Sequence, residues 1–154
     1  MISLILAATA FSASYDCTLD APKALDHKDG VVTLNPISFP DVAEGRWKFQ
    51  AKVTRDDEGV NAAITWPGDP IQIAGEFPAM PTADGSIAIM TFSPGPCMFT
   101  ETGCMSLISL VDRGDGSAKI IITPAALASD KANNSRDPFV VLIEGTCRRT
   151  GKPQ

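Results

Sequence analysis

Between Gly45 and Trp66 the chain alternates so regularly that it admits one local structure. Trp47, Phe49, Ala51 and Val53 are separated by Lys48, Gln50 and Lys52. After Asp56, Asp57, Glu58 and Gly59 the alternation resumes through Val60, Ala62, Ile64 and Trp66. Successive side chains of a strand point to opposite faces, so these apolar residues all fall on one side. The stretch is a β-hairpin with one wet face and one dry face, and the acidic run ending in Gly59 is its turn. A dry face carrying two indoles and a phenylalanine must be covered by more chain, which implies a sheet rolled on itself or packed on another.

The remaining segments support that class. Tyr15 to Asp29 is polar and broken; Val31 to Leu34 forms a short strand, and Asn35, Pro36, Phe39 and Pro40 a connector. Ile71, Ile73, Gly75 and Phe77 alternate as a further strand, which Pro78 and Pro81 are expected to end. Ile87 to Phe92 is apolar on both faces, as in a central strand or one covered on its outer side. Met105 to Val111 and Ala118 to Ile122 flank the turn Asp112–Gly116, and Phe139 to Ile143 is the last core strand. Thr123 followed by Pro124 has the form of a helix cap, giving one short helix from Pro124 to about Lys131. With 12 Gly and 12 Pro to punctuate many short segments, the expected fold is all-β. It is an antiparallel, meander-rich sandwich or flattened barrel of about eight strands, with one short helix before the last.

The ends of the chain bear on compartment. Met1 to about Ala13 has the form of an export signal, an apolar run followed by small residues, with cleavage after Ala10 or Ala13. It is too short to span a bilayer, and Asp16 stands where a lipoprotein signal before Cys17 needs a small residue. A single β domain is then expected over 15–148 and a flexible tail over 149–154. Four cysteines suit an oxidising, periplasmic or secreted location. Of the three possible pairings, Cys97 with Cys104 and Cys17 with Cys147 are expected, the second tying the two ends of the domain together. No compact Cys-x-x-Cys pair suggests zinc, and a net charge of -5 offers no basic stripe for nucleic acid.

No constellation points to catalysis. His27 is the single imidazole and lies beside Asp26 and Asp29 in an expected turn; no serine stands in a Gly-x-Ser-x-Gly elbow. The acidic groups at Asp56–Glu58 and Asp112–Asp115 fall in turns, where carboxylates face water. Neither a metal nor a cofactor is expected. The most unusual segment is the loop closed by Cys97 and Cys104, where Met98, Phe99 and Glu101 are candidate binding residues on a rigid turn. Gly45-Arg46-Trp47 at the start of a strand resembles the Gly-x-Trp opening of lipocalins, although that family's Thr-Asp-Tyr segment is missing here. The resemblance implies an eight-stranded barrel that holds a small apolar ligand, with Arg148 or Arg149 covering the Trp47 ring. Function is therefore expected to be that of an exported, non-enzymatic domain binding a protein partner or a small apolar ligand. The alternatives are a small secreted hydrolase using carboxylates and His27, or a structural envelope component. A filled interior would move the expectation to surface loops, and a hollow one to a ligand.

Overall fold

The computed structural model describes residues 11–28, 31–37, 47–68, 73–94, 104–126 and 140–150. These form ten strands: β1 (Phe11–Leu19), β2 (Lys23–Lys28), β3 (Val31–Pro36), β4 (Lys48–Asp56), β5 (Gly59–Thr65), β6 (Gly75–Pro81), β7 (Ile87–Ser93), β8 (Cys104–Asp112), β9 (Ser117–Ala126) and β10 (Val140–Thr150). All pairings are antiparallel. From β4 to β10 each strand pairs with its neighbour in sequence, and β1 lies between β4 and β10. The sheet thus closes into an eight-stranded barrel, and of the two architectures expected the barrel is the one adopted. Closure removes the open edges that a flat sheet of these strands would leave.

The alternating hairpin is β4–β5, paired from Gln50–Thr65 down to Asp56–Gly59. Its dry face points inward: Phe49, Val53 and Ala62 are fully buried, and Ile64 is buried too. Period two repeats this around the wall, with Ile87 and Ile89 of β7, Ile108 and Leu110 of β8, Ile120 and Ile122 of β9, and Val141 and Ile143 of β10 all buried. A hollow wide enough for a ligand would leave the residues of its wall accessible, yet Phe49, Ile89, Ile108, Ile120, Ile122 and Ile143 are each 0% exposed. The interior is filled by side chains, as in small barrels generally. Toward the end of the barrel where β4 begins, Trp47 packs edge-on against Trp66 at 5.4 Å and Phe49 does so at 6.1 Å.

The seam between β1 and β10 closes the barrel. Six consecutive pairs run from Ser14–Thr150 to Leu19–Gly145, and Cys17 stands directly opposite Cys147. Their sulfurs are bonded at 1.99 Å across 130 residues of sequence, as the expected pairing requires. Gly145 lets the two backbones approach closely: a Cβ there would lie 2.4 Å from the Thr18 carbonyl oxygen. Beyond the seam, β10 changes partner. Its first residues, Val140 to Leu142, pair with β2, which forms a hairpin with β3. That hairpin leaves the barrel as an arm, and every residue of β3 is exposed.

Four departures from the sequence reading have physical causes. No helix begins at Pro124 in the described residues: β9 runs through it to Ala126, while residues 127–131 lie outside them. β8 pairs with β9 from Ala118 to Ala126, and the β9–β10 ladder skips Thr123 and Pro124 before resuming at Ala125–Val140, so the missing proline N–H is accommodated by a gap on one side. Secondly, Pro78 and Pro81 do not end a strand; they lie within β6. This strand pairs with β5 over Gly75–Pro78 and with β7 over Ala79–Pro81, so none of its residues is laddered on both sides and a proline is tolerated as at an edge. Thirdly, the polar stretch that starts at Tyr15 is not broken: it carries the second half of β1 and all of β2. Ala13, Tyr15, Cys17 and Leu19 alternate inward, each 3% exposed, and only Asp20 to Pro22 separate the two strands. Finally, β10 continues through Arg149 to Thr150, past the expected start of a tail.

Candidate interaction surface

The acidic groups serve the turns. In the β4–β5 turn an Asp56 carboxylate oxygen accepts from the Glu58 and Gly59 N–H groups at 2.9 and 3.1 Å. Between β8 and β9, Asp112 accepts from the Gly114 N–H at 2.7 Å, and Asp115 from the Ser117 N–H and hydroxyl at 2.8 and 2.5 Å. Asp84 accepts likewise from Ser86 N–H and from the Thr82 hydroxyl between β6 and β7. Hydrogen bonds to their charged forms hold Asp84 and Asp115 below the usual carboxylate range. A carboxylate kept ionised in this way is a poor general acid.

His27 lies in β2 opposite Val32, in a strand and not in the turn expected for it; its side chain is outside the described residues. Met98, Phe99 and Glu101 are outside them too, as is Cys97, so the expected Cys97–Cys104 bond and the loop's surface lie beyond description. What is described is the base of that loop, where Ser93 of β7 pairs with Cys104 of β8. Arg149 pairs with Tyr15, whereas the Trp47 carbonyl accepts from the Leu19 N–H; four residues of β1, about 13 Å at strand spacing, separate the two points. At its own end of the barrel Tyr15 is buried, which pushes its phenol up, with Arg149 opposing and Asp112 adding to the shift.

The outer wall is uneven. A depression of about 390 Å³ beside β5 is bordered by Thr54, Asp56, Asn61 and Glu76 and equally by Ala62, Ala63, Phe77 and Pro78, a mixed lining. On the β10 flank Glu144 bridges Lys23 at 2.7 Å and Lys119 at 2.5 Å. Hydrogen bonds from Lys119 and Lys23 lower its carboxyl from 4.5 to about 2. Further round the wall, on β6 to β8, the outer face is apolar. Met80, Met90, Phe92, Leu107 and Val111 of β6, β7 and β8 are 57, 53, 58, 43 and 38% exposed. Met90 pairs with Leu107 and Phe92 with Met105, so these side chains form adjacent rows on one face.

The rows continue beyond the barrel. The register runs Phe92–Met105–Ala125–Val140–Leu25–Leu34 from β7 to β3. Residues directly opposite in antiparallel strands share a face, so the barrel wall and the arm present one outer side. Leu25 and Leu34 on it are 38 and 49% exposed. Sequence reasoning did not select this surface, yet its signal was present. Ile87 to Phe92 is apolar on both faces; its inner face fills the barrel, and its outer residues Met90 and Phe92 are left accessible.

No family model and no curated protein matches this chain. Among the described residues no three His, Cys, Asp or Glu side chains gather as a metal site, and no helix is long and apolar enough to cross a membrane.

Proposed function

We propose that this chain is an exported, non-enzymatic binding module that engages a protein partner through the outer apolar wall of β6, β7 and β8. The observation that carries this reading is the exposure of Met80, Met90, Phe92 and Leu107 on adjacent strands, around an interior already filled. Monomeric soluble proteins seldom leave several large apolar side chains together in water, and such a patch marks a contact site. A filled barrel favours a partner on the surface over a small ligand inside. The Cys17–Cys147 bond is compatible with an oxidising compartment, which agrees with an export signal ahead of β1.

The test is capture from an envelope extract with the purified protein as bait, comparing wild type with Met90→Glu and Phe92→Glu. Recovery of a stoichiometric protein by wild type and its loss from both variants is expected. Equal recovery by all three, or a co-purifying small molecule detected by mass spectrometry, would overturn the reading. So would a hydrolytic activity on generic ester, glycoside or peptide substrates that disappears in His27→Ala.

A further inference from the structure

The β2–β3 arm has a geometry that the wall proposal does not use. β3 pairs with β2 on one side and has no neighbour on the other among the described residues. Val31, Val32 and Leu34 are 60, 58 and 49% exposed, and no residue from Val31 to Pro36 is charged. Natural edge strands are usually blunted by lysines, inward charges or bulges. A two-stranded ribbon with this composition is marginal in water unless something packs on it.

The register says which groups the edge offers. The Ile37 N–H donates to the Pro22 carbonyl at 2.7 Å, one step past the Lys23–Pro36 pair, so residues 22 and 37 are a hydrogen-bonded pair. Hydrogen-bonded and non-bonded pairs alternate along an antiparallel ladder. Val31, Thr33 and Asn35 therefore bond to β2, and Val32 and Leu34 aim their N–H and C=O groups away from it. Pro36 is next in that series and has no N–H to give. The free edge thus offers two complete donor–acceptor residues, placed symmetrically about Thr33.

An edge of this kind is complementary to itself. We propose that two copies of this chain pair β3 to β3 antiparallel about a two-fold axis through Thr33. Val32 of one copy then stands opposite Leu34 of the other, and Leu34 opposite Val32. Two such pairs, each exchanging two bonds, use every outward donor at Val32 and Leu34 on both copies. A two-fold perpendicular to the sheet keeps each face on its own side, so Val32 meets Leu34 on the outer apolar face while Thr33 faces Thr33 on the other. Shifting the register by two residues in either direction sets Leu34 against Gly30 or Val32 against Pro36 and takes Thr33 away from its own mate, to face Val31 or Asn35. The seam carries no charge from β3, so two copies of net charge -5 meet along a neutral line. The outer row from Phe92 to Leu34 is then continued by its symmetry mate.

Light scattering coupled to size exclusion tests the pairing on the purified protein. Wild type is expected at twice the monomer mass, falling to the monomer on dilution. Val32→Lys and Leu34→Lys are expected to lose the doubling while keeping the circular dichroism spectrum and melting temperature of wild type diluted to the monomer, since both positions are already exposed. Thr33→Cys is expected to give a covalent dimer on mild oxidation, seen on a non-reducing gel, whereas Val31→Cys, which faces Asn35 in this register, is not. A wild-type protein that stays monomeric overturns the proposal and leaves the edge to a foreign strand. Doubling that survives both lysine variants, or a failure of Thr33→Cys to cross-link, also overturns it. Capture of a partner through Met90 and Phe92 is read separately, so either reading can fail without the other.

Discussion

Replacing Gly145 with alanine tests the barrel's closure at its tightest point. The added Cβ would sit 2.4 Å from the Thr18 carbonyl oxygen, 3.0 Å from Leu19 Cα and 3.1 Å from Ile120 Cγ2. The first two are backbone atoms of β1, so no rotamer change relieves the overlap. Relief requires β1 to move out from β10 by nearly an ångström, which opens the Thr18–Thr146 and Leu19–Gly145 end of the seam and strains the Leu19 N–H to Trp47 carbonyl bond of 3.0 Å. The Cys17–Cys147 bond two residues away resists that movement. Overpacking of a fitted site costs roughly 1–3 kcal/mol, and contact with the β1 backbone on one side and the Ile120 side chain on the other places this case near about 3. For a chain of this size that corresponds to a fall in Tm of roughly 6–12 °C. At an open site the same change would have the opposite sign, stabilising by about 0.4–1 kcal/mol through the unfolded chain. Urea titration followed by the fluorescence of the buried Trp47 and Trp66 gives the midpoint, with the exposed Thr146→Ala on the same strand as control. A Gly145→Ala protein as stable as wild type, or more so, would refute the close approach of β1 and β10 and with it the closure described here.

Three other outcomes are expected. Replacing Cys17 and Cys147 together with alanine removes a link across 130 residues, for which the chain-entropy treatment gives at most about 5 kcal/mol; the double variant should show a lower urea midpoint with wild-type circular dichroism. Glu144 has its carboxyl lowered from 4.5 to about 2, so its contribution is complete above about pH 4.5 and disappears as pH falls to about 2. With solvent screening at a side chain 23% exposed, that contribution is about 1–2 kcal/mol; Glu144→Gln should lose it at pH 7 and match wild type near pH 2 in thermal melts. If the chain is exported, mass spectrometry of the mature protein should find Phe11 at its start, because a cut after Ala13 would remove three residues of β1, including the buried Ala13 opposite Val53.

Much of the wall was legible locally. The alternation at Trp47–Trp66 gives β4, β5 and their inward faces without reference to any other segment, and the acidic turn residues are those that bond their own backbone. The same period runs through Ala13, Tyr15, Cys17 and Leu19, but in small and polar residues whose apolar contrast is weak, so β1 was missed. Pro78 and Pro124 misled for another reason. Whether a proline breaks a strand depends on which neighbour its nitrogen would have faced, and that is a property of the pairing. Of the candidate site, the doubly apolar run Ile87–Phe92 carried the clue to an accessible wall, while the loop bearing Met98, Phe99 and Glu101 drew attention by its cysteines.

By itself the sequence determined which residues turn inward, because side-chain alternation along a strand is a local consequence of backbone geometry. The tertiary structure alone decided that β1 meets β10, that Cys17 therefore faces Cys147, and that Phe92, Met105, Leu25 and Leu34 share one outer face. Those relations depend on register between strands up to 130 residues apart, and register is set when the whole sheet closes around a filled interior.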